Sequence, residues 1–252
     1  MDIHFDCTQC GRCCHNLKLP LSVDEAKRWA KNGHEVQLLI EATPAYEVPE
    51  RGSHERYRFD RSFPAMSGSV PIRVSVIVVA AFEGACPHLL QDMRCGAYET
   101  RPTVCRIYPA EVSPRAQLVP AQKACPPEAW LPDQPLLLSD GVIADNELSL
   151  LIDAHRATSL ADVELKRQAC WSLGIASAAF ANEGYALFSL SPDIVEEVFA
   201  NQLLVPPEDA ETAQWQFVTN RQPTLIMLET VEATSQVISR GDTYIGFFED
   251  DI

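Results

Sequence analysis

Four cysteines fall within eight positions at the start of this chain, in the run CTQCGRCC from Cys7 to Cys14. So dense a hook leaves little room for regular structure, and whatever folds around it must bring those sulfurs to a common purpose. The candidates are a disulfide framework, a zinc site, an iron–sulfur cluster and a thiol redox relay. At 252 residues the chain can bury a substantial core, so it has no need of disulfides as a very small secreted domain does. No basic start followed by an apolar stretch marks a secretory signal, and the longest strongly apolar run, Val76–Phe82, is far too short to span a bilayer. The expectation is a cytoplasmic protein without a membrane span. In that compartment thiols stay reduced, and clustered cysteines serve metal or redox chemistry.

Charge and cysteine content divide the chain at one place. Residues 1–130 carry 15 Lys+Arg and 15 Asp+Glu, whereas residues 131–252 carry 5 against 20, so the whole net charge of −15 lies in the second half. Nucleic-acid binding needs a positive footprint and is excluded as an expectation; a solvated acidic surface is the plain reading. Eight of the nine cysteines lie at or before Cys125, and the proline-rich CPPEAWLPDQP (Cys125–Pro135) reads as a junction. The sequence therefore predicts a metal-binding region over 1–130 and an acidic region over 131–252.

The expected fold class is α+β, with a loop-rich N-terminal region of a few short strands and one helix, then a mainly helical C-terminal region. Ser22 with Glu25 forms a capping-box signature for a helix that Asn32-Gly33 closes. Tyr57–Phe59 and the β-branched Ile72–Phe82 read as strands, with short extended pieces at Val36–Ile40 and Ala116–Ala121. Between Cys86 and Cys125 the residues Pro87, Gly96, Pro102, Pro109 and Pro114 predict loop. Four helices are expected further on, over Thr158–Gly184, from Ser191-Pro192, over residues 208–221, and over Pro223–Gly241.

Thiolates are soft ligands suited to zinc, Cu(I) or iron–sulfur centres. Two residues between cysteines let the chain turn so that both sulfurs reach one ion or one cluster face, and Gly11 suits such a turn. Structural zinc sites usually come as paired Cys-x-x-Cys knuckles. Here one hook is followed by isolated cysteines at Cys86, Cys95, Cys105 and Cys125, which lies closer to the Cys-x-x-Cys-x-x-Cys of bacterial ferredoxins. Adjacent Cys13 and Cys14 cannot easily share one ion, so two four-thiolate sites, or one cluster with supporting thiols, are both open.

Taken together, CTQCGRCC, CPHL at Cys86–Leu89 and CGAYETRPTVCRIYP from Cys95 to Pro109 resemble the cysteine-cluster family described as zinc- or iron-chelating. Many of its members are labelled Fe–S-cluster oxidoreductases, and flagellin lysine methylases carry a similar cluster. The resemblance covers roughly residues 5–126. It implies that Cys7, Cys10, Cys13, Cys14, Cys86, Cys95, Cys105 and Cys125 form the metal-binding set.

Arg101 and Arg106 flank these cysteines as candidate cofactor-binding residues that offset thiolate charge; the structural alternative is bonding to loop carbonyls. His15 and His88 could substitute as ligands but are unneeded beside eight thiols. Tyr98 and Tyr108 read as packing, and Cys170, beside Trp171, as a small buried hydrophobe. There is no phosphate-binding loop, no Gly-x-Ser-x-Gly element and no S-adenosylmethionine loop. The expected function is an iron–sulfur centre, of the 4Fe–4S type, serving electron transfer or a redox step, as an Fe–S oxidoreductase would use it, with a protein redox or interaction partner for the acidic half. The alternative is a non-enzymatic zinc protein whose metal is structural.

Overall fold

The computed structural model describes residues 2–114, 116–200 and 213–251. In chain order its strands are β1 (Ile3–His4), β2 (His15–Pro20), β3 (Val36–Pro44), β4 (Phe63–Ser67), β5 (Val70–Ala85) and β6 (Leu136–Ser139). There follow β7 (Val142–Ile143), β8 (Ser177–Phe180), β9 (Gly184–Leu190), β10 (Gln216–Thr219), β11 (Ser235–Val237) and β12 (Tyr244–Gly246). The helices are α1 (Val23–Lys31), α2 (His54–Asp60), α3 (Thr103–Ile107), α4 (Asn146–Ser172), α5 (Pro192–Ala200) and α6 (Gln222–Thr230). The fold is a sheet-rich α+β arrangement of two compact units, each assembled from two stretches of chain.

The first unit holds residues 1–21 and 81–158. Its β1, β6 and β7 make a small antiparallel sheet. Phe5 packs its ring 4.8 Å from that of Trp130, and the Asp6 N–H donates to the Ala129 carbonyl, closing the chain's start onto the 127–130 turn. The core is small: Ile107, the last residue of α3, and Ala110 just after it meet Ile152 on the first half of α4. Arg156 on α4 donates to the Val112 carbonyl at 2.8 Å, tying the same corner. So little apolar burial leaves the rest of this unit to be organised by loops and side-chain chemistry.

The second unit, residues 22–80 and 159–252, is built on a mixed sheet. β3 is its central strand. One edge pairs antiparallel with β5, and the other pairs antiparallel with β9 and parallel with β8. Parallel β8, β10 and β11 extend the sheet, and β4 and β12 add to β5 and β9. β3 is buried through Val36, Leu38, Ile40 and Ala42 and also through Leu39 and Glu41, which is why VQLLIEA reads as a nearly continuous apolar run. On α1 the expected capping box is present. The Glu25 N–H donates to Ser22 Oγ and the Ser22 N–H to Glu25 Oε2, at 3.2 and 2.9 Å. Asp162 accepts the Val23 N–H at 2.8 Å and so satisfies another of the open donors at that helix end.

Several expectations are corrected. The C-terminal region is not mainly helical, because among the described residues seven of the twelve strands lie beyond residue 131. Tyr57–Phe59 belongs to α2, where Ser53 Oγ caps the Arg56 N–H at 2.9 Å and Arg56 pairs with Asp60 one turn on. The helix read over Thr158–Gly184 starts earlier, at Asn146, and stops at Ser172. Gly174 at φ +65° turns the chain into β8, where the alanine-rich SAAF pairs with β3 and β10. Residues 216–219, expected to be helical, form β10, and the earlier part of that segment lies outside the described residues. Only the first half of Pro223–Gly241 is helix, and Ser235–Val237 is β11. Where a strand replaces an expected helix, pairing decides: β8 and β10 are each paired on both sides and β11 pairs with β10, which overrides local helical preference. Ala116–Ala121 forms no strand; a 3₁₀ turn covers Pro120–Gln122. Val36–Ile40, Ile72–Phe82 and the helix from Pro192 stand as expected.

Candidate metal centre

All eight cysteines of the predicted set lie in the first unit, and all are free thiols. The hook turns on Gly11, which is buried at φ +68° and whose carbonyl accepts the Cys14 N–H at 2.9 Å. A Cβ there would stand 2.6 Å from the Met93 carbonyl oxygen and 2.9 Å from Leu89 Cδ1, so only glycine lets the hook seat on the 88–95 loop. Cys13 and Cys14 place their sulfurs 4.0 Å apart. The Cys14 carbonyl accepts the Cys86 N–H at 2.8 Å, which docks the CPHL segment against the hook. That segment folds back on itself: Leu89 N–H reaches the Cys86 carbonyl, Gly96 N–H the His88 carbonyl, and Leu89 bridges Cys95. Cys86 and Cys95 thereby share one tight loop. Cys105 is presented by α3, which Pro102 begins, and Cys125 follows Ala124, whose N–H donates to the Tyr108 hydroxyl at 2.9 Å.

The thiols feel one another. Burial pushes Cys105 up to about 12, and the neighbouring Cys13, Cys86 and Cys95 add like-charge repulsion. Burial also raises Cys86, with Cys95 and Cys13 contributing. Cys14 is raised, first by its hydrogen bond to Cys13 and then by burial. The same hydrogen bond, with help from Arg101, brings Cys13 down to about 7. Cys125 is raised by burial and by Cys13, Cys7 and Cys10, while the Tyr108 hydroxyl donates to its sulfur and works the other way. Two overlapping sets emerge. Cys13, Cys14, Cys86, Cys95 and Cys105 act on one another, with Arg101 acting on Cys13 and Cys105, whereas Cys7 and Cys10 act on Cys125, with Cys13 common to both.

Arg101 is the clearest sign of what the site is made for. Its guanidinium carbon stacks 3.7 Å from the Tyr98 ring centroid, and its Nε is buried with no hydrogen-bond partner. An orphaned buried donor costs roughly 1–3 kcal/mol. Its charge acts on Cys13 and Cys105 and favours the thiolate at both, the form a metal-bound cysteine would take. The donor set thus fits a thiophilic metal or cluster. Among the described residues no three His, Cys, Asp or Glu side chains already stand at metal-ligand geometry, so closing the shell draws the thiols inward.

The other expected residues are placed as follows. Arg106 is exposed on α3, and Cys7 is exposed at the start of the hook. His15 directs Nδ1 to the Gly11 carbonyl at 3.1 Å, bracing the turn. Tyr98 is the platform under Arg101, and Tyr108, read from sequence as packing, instead serves Cys125 through its hydroxyl. Cys170 is fully buried in the second unit, apart from the cluster. The part played by Leu89 and Met93 in seating the hook carries no sequence signal, since it depends on a loop closing back through space.

Compared with known protein families, residues 6–126 match the one named CxxCxxCC, described as “Putative zinc- or iron-chelating domain”. No curated protein and no solved structure matches the chain.

Proposed function

The chain carries, over residues 6–126, a domain of the CxxCxxCC zinc- or iron-chelating family, and from that premise we propose that it holds an iron–sulfur centre of the 4Fe–4S type for electron transfer or a redox step. The observation that carries this reading is the orphaned Arg101 guanidinium among Cys13, Cys105 and their neighbours, together with the ferredoxin-like spacing of the hook. Cys7, Cys10, Cys13, Cys14, Cys86, Cys95, Cys105 and Cys125 supply the thiolates. When bound, such a centre supplies a one-electron couple whose potential responds to charge and hydrogen bonding at its sulfurs. The chain's own residues set that environment. Arg101 offsets thiolate charge from within, held flat by Tyr98, and Arg106 does so from the exposed side of α3. Tyr108 donates to the Cys125 sulfur, and Gly11 lets backbone amides approach the hook. The site works in a reducing compartment, the cytoplasm, and the acidic second half docks a protein redox partner. No helix among the described residues is long and apolar enough to cross a membrane.

Zinc held by the same thiols, as a structural ion, is the competing reading. Protein purified without oxygen decides between them. The expected result is a brown protein with broad visible absorbance that bleaches on reduction, and with iron and acid-labile sulfide on elemental analysis. A colourless protein containing zinc alone, even after anaerobic reconstitution with iron and sulfide, overturns the iron–sulfur reading.

A further inference from the structure

The second unit holds a cavity of about 220 Å³ that the metal chemistry does not use. It opens where two parallel strands end. β3 and β8 run side by side through the pairs Glu41–Ala179 and Ala42–Phe180, and Thr43, Pro44 and Asn182, just past those pairs, line the cavity. The space outside the carboxyl ends of parallel strands is where α/β sheets commonly take ligands. Its volume falls below the roughly 300–1,000 Å³ of sites for drug-sized molecules, so the occupant is a small metabolite.

The lining specifies the chemistry. Arg58 extends from α2 and is fixed at two points. One nitrogen donates to Asn182 Oδ1 at 3.0 Å, and the other to Glu41 Oε1 at 2.5 Å. Glu41 is buried at 5% exposure, so this ion pair anchors the guanidinium rather than floating on the surface. Those contacts use two of the five N–H donors of an arginine, and the rest are available to a planar carboxylate. Asn182 sits at φ +67° in the turn from β8 to β9, and from there its amide oxygen accepts from Arg58. Phe59, Pro44 and Ala45 give the lining its apolar part, alongside the polar His54, Ser62 and Arg73. Phe59 lies under Arg73, 4.2 Å from guanidinium carbon to ring centroid, and Arg73 pins the Phe59 carbonyl at 2.9 Å, so ring and backbone are both locked. Glu47, exposed at the rim, adds the opposite charge.

A cationic anchor, an apolar part and an acidic rim around a small volume complement one kind of molecule. We propose that this cavity binds a free apolar α-amino acid, its carboxylate on Arg58, its side chain against Phe59 and Pro44, and its ammonium toward Glu47. The site is independent of the metal reading, since every residue in it belongs to the second unit.

Calorimetric titration of the protein tests it with three probes that share one branched side chain: L-leucine, 4-methylpentanoate, which lacks the ammonium, and isopentylamine, which lacks the carboxylate. L-leucine is expected to bind at about 1 mM or tighter, and each truncated probe about tenfold or more weakly, the weight of one charge-assisted contact. Glu47→Gln, an exposed change, should weaken L-leucine about tenfold and leave 4-methylpentanoate unaltered. Arg58→Gln alone strands a buried carboxylate, so it is paired with Glu41→Gln to keep the fold, and the double variant should lose L-leucine binding. Circular dichroism melting confirms that both variants remain folded. Failure of L-leucine to bind the wild type at about 10 mM, equal affinity for a truncated probe, or unchanged L-leucine affinity in either variant overturns the proposal.

Discussion

A single side chain, Arg101, joins the sequence motif to the chemistry of the centre. Its buried Nε lacks a partner, and it lies close enough to Cys13 and Cys105 to favour their ionised forms. Arg101→Gln removes the charge and keeps the length of the side chain. It should lower metal affinity about 10–100-fold, as loss of a supporting contact at a metal site does, while the melting of the second unit stays put. Metal competition against a chromophoric chelator reads the change, and equal affinities would assign Arg101 to loop structure alone. The thiols also fix how binding responds to acid. Cys86, Cys125 and Cys105 are raised by burial, Cys105 to about 12, so near neutrality they carry protons that a metal must displace. Raised values keep these thiols protonated through the neutral range, so the proton competes with the metal more strongly as the pH falls. Apparent metal affinity should therefore rise with pH, by about tenfold per unit for each proton displaced. Affinity that stays flat between about pH 6 and 8 would show that these thiols are not ligands.

Among the elements, α1 and the hook show what local sequence can and cannot specify. Ser22 and Glu25 announce α1 because a capping box is made within four residues, and the structure contains both of its hydrogen bonds. Ser22→Ala should cost about 1 kcal/mol of stability in the second unit, measurable by urea denaturation; no change would mean that Asp162, on the Val23 N–H, carries the cap by itself. Gly11 is legible as a turn, but its severity is not, since the obstacle to a side chain is the Met93 carbonyl more than eighty residues away. Gly11→Ala should unseat the hook and leave the purified protein short of metal, even with every cysteine intact. Full metal content in that variant would show that the hook tolerates a different turn. The strands β8, β10 and β11 were hidden for a related reason. SAAF and QFVT are too short to display an alternation, and their stability comes from neighbours outside their own segments: β3 and β10 for β8, and β8 and β11 for β10. β5, sixteen residues long and rich in valine and isoleucine, carries its own signal and was legible. The cavity beside Arg58 left no trace in the sequence either, because Glu41, Arg58, Arg73 and Asn182 form no motif and meet only through the sheet.

For the molecule as a whole, the distribution of apolar burial sets the terms on which metal and fold depend on each other. The first unit gathers all eight cluster cysteines but only a small core around Ile107, Ala110 and Ile152. The second unit buries β3 on both faces and packs α1 against α5, with Val36, Leu38, Ile40, Val74, Val78 and Phe217 among its inaccessible side chains. Where a hydrophobic core is small, metal ligation takes over part of the stabilisation. Stripping the metal with a strong chelator should therefore loosen the first unit selectively. Backbone amides over residues 7–14 and 86–125 should lose protection from hydrogen exchange, whereas those of β3 and its partners should keep theirs, because their protection rests on burial that no metal supplies. Mass-resolved hydrogen exchange on the loaded and stripped protein makes the comparison directly. Loss of protection in β3 to the same extent as in the hook would mean that the metal supports the whole chain as one cooperative body. Protection unchanged in both would mean that the cysteine loops hold their shape without it, and that the thiols are preorganised for a bound metal rather than folded by one.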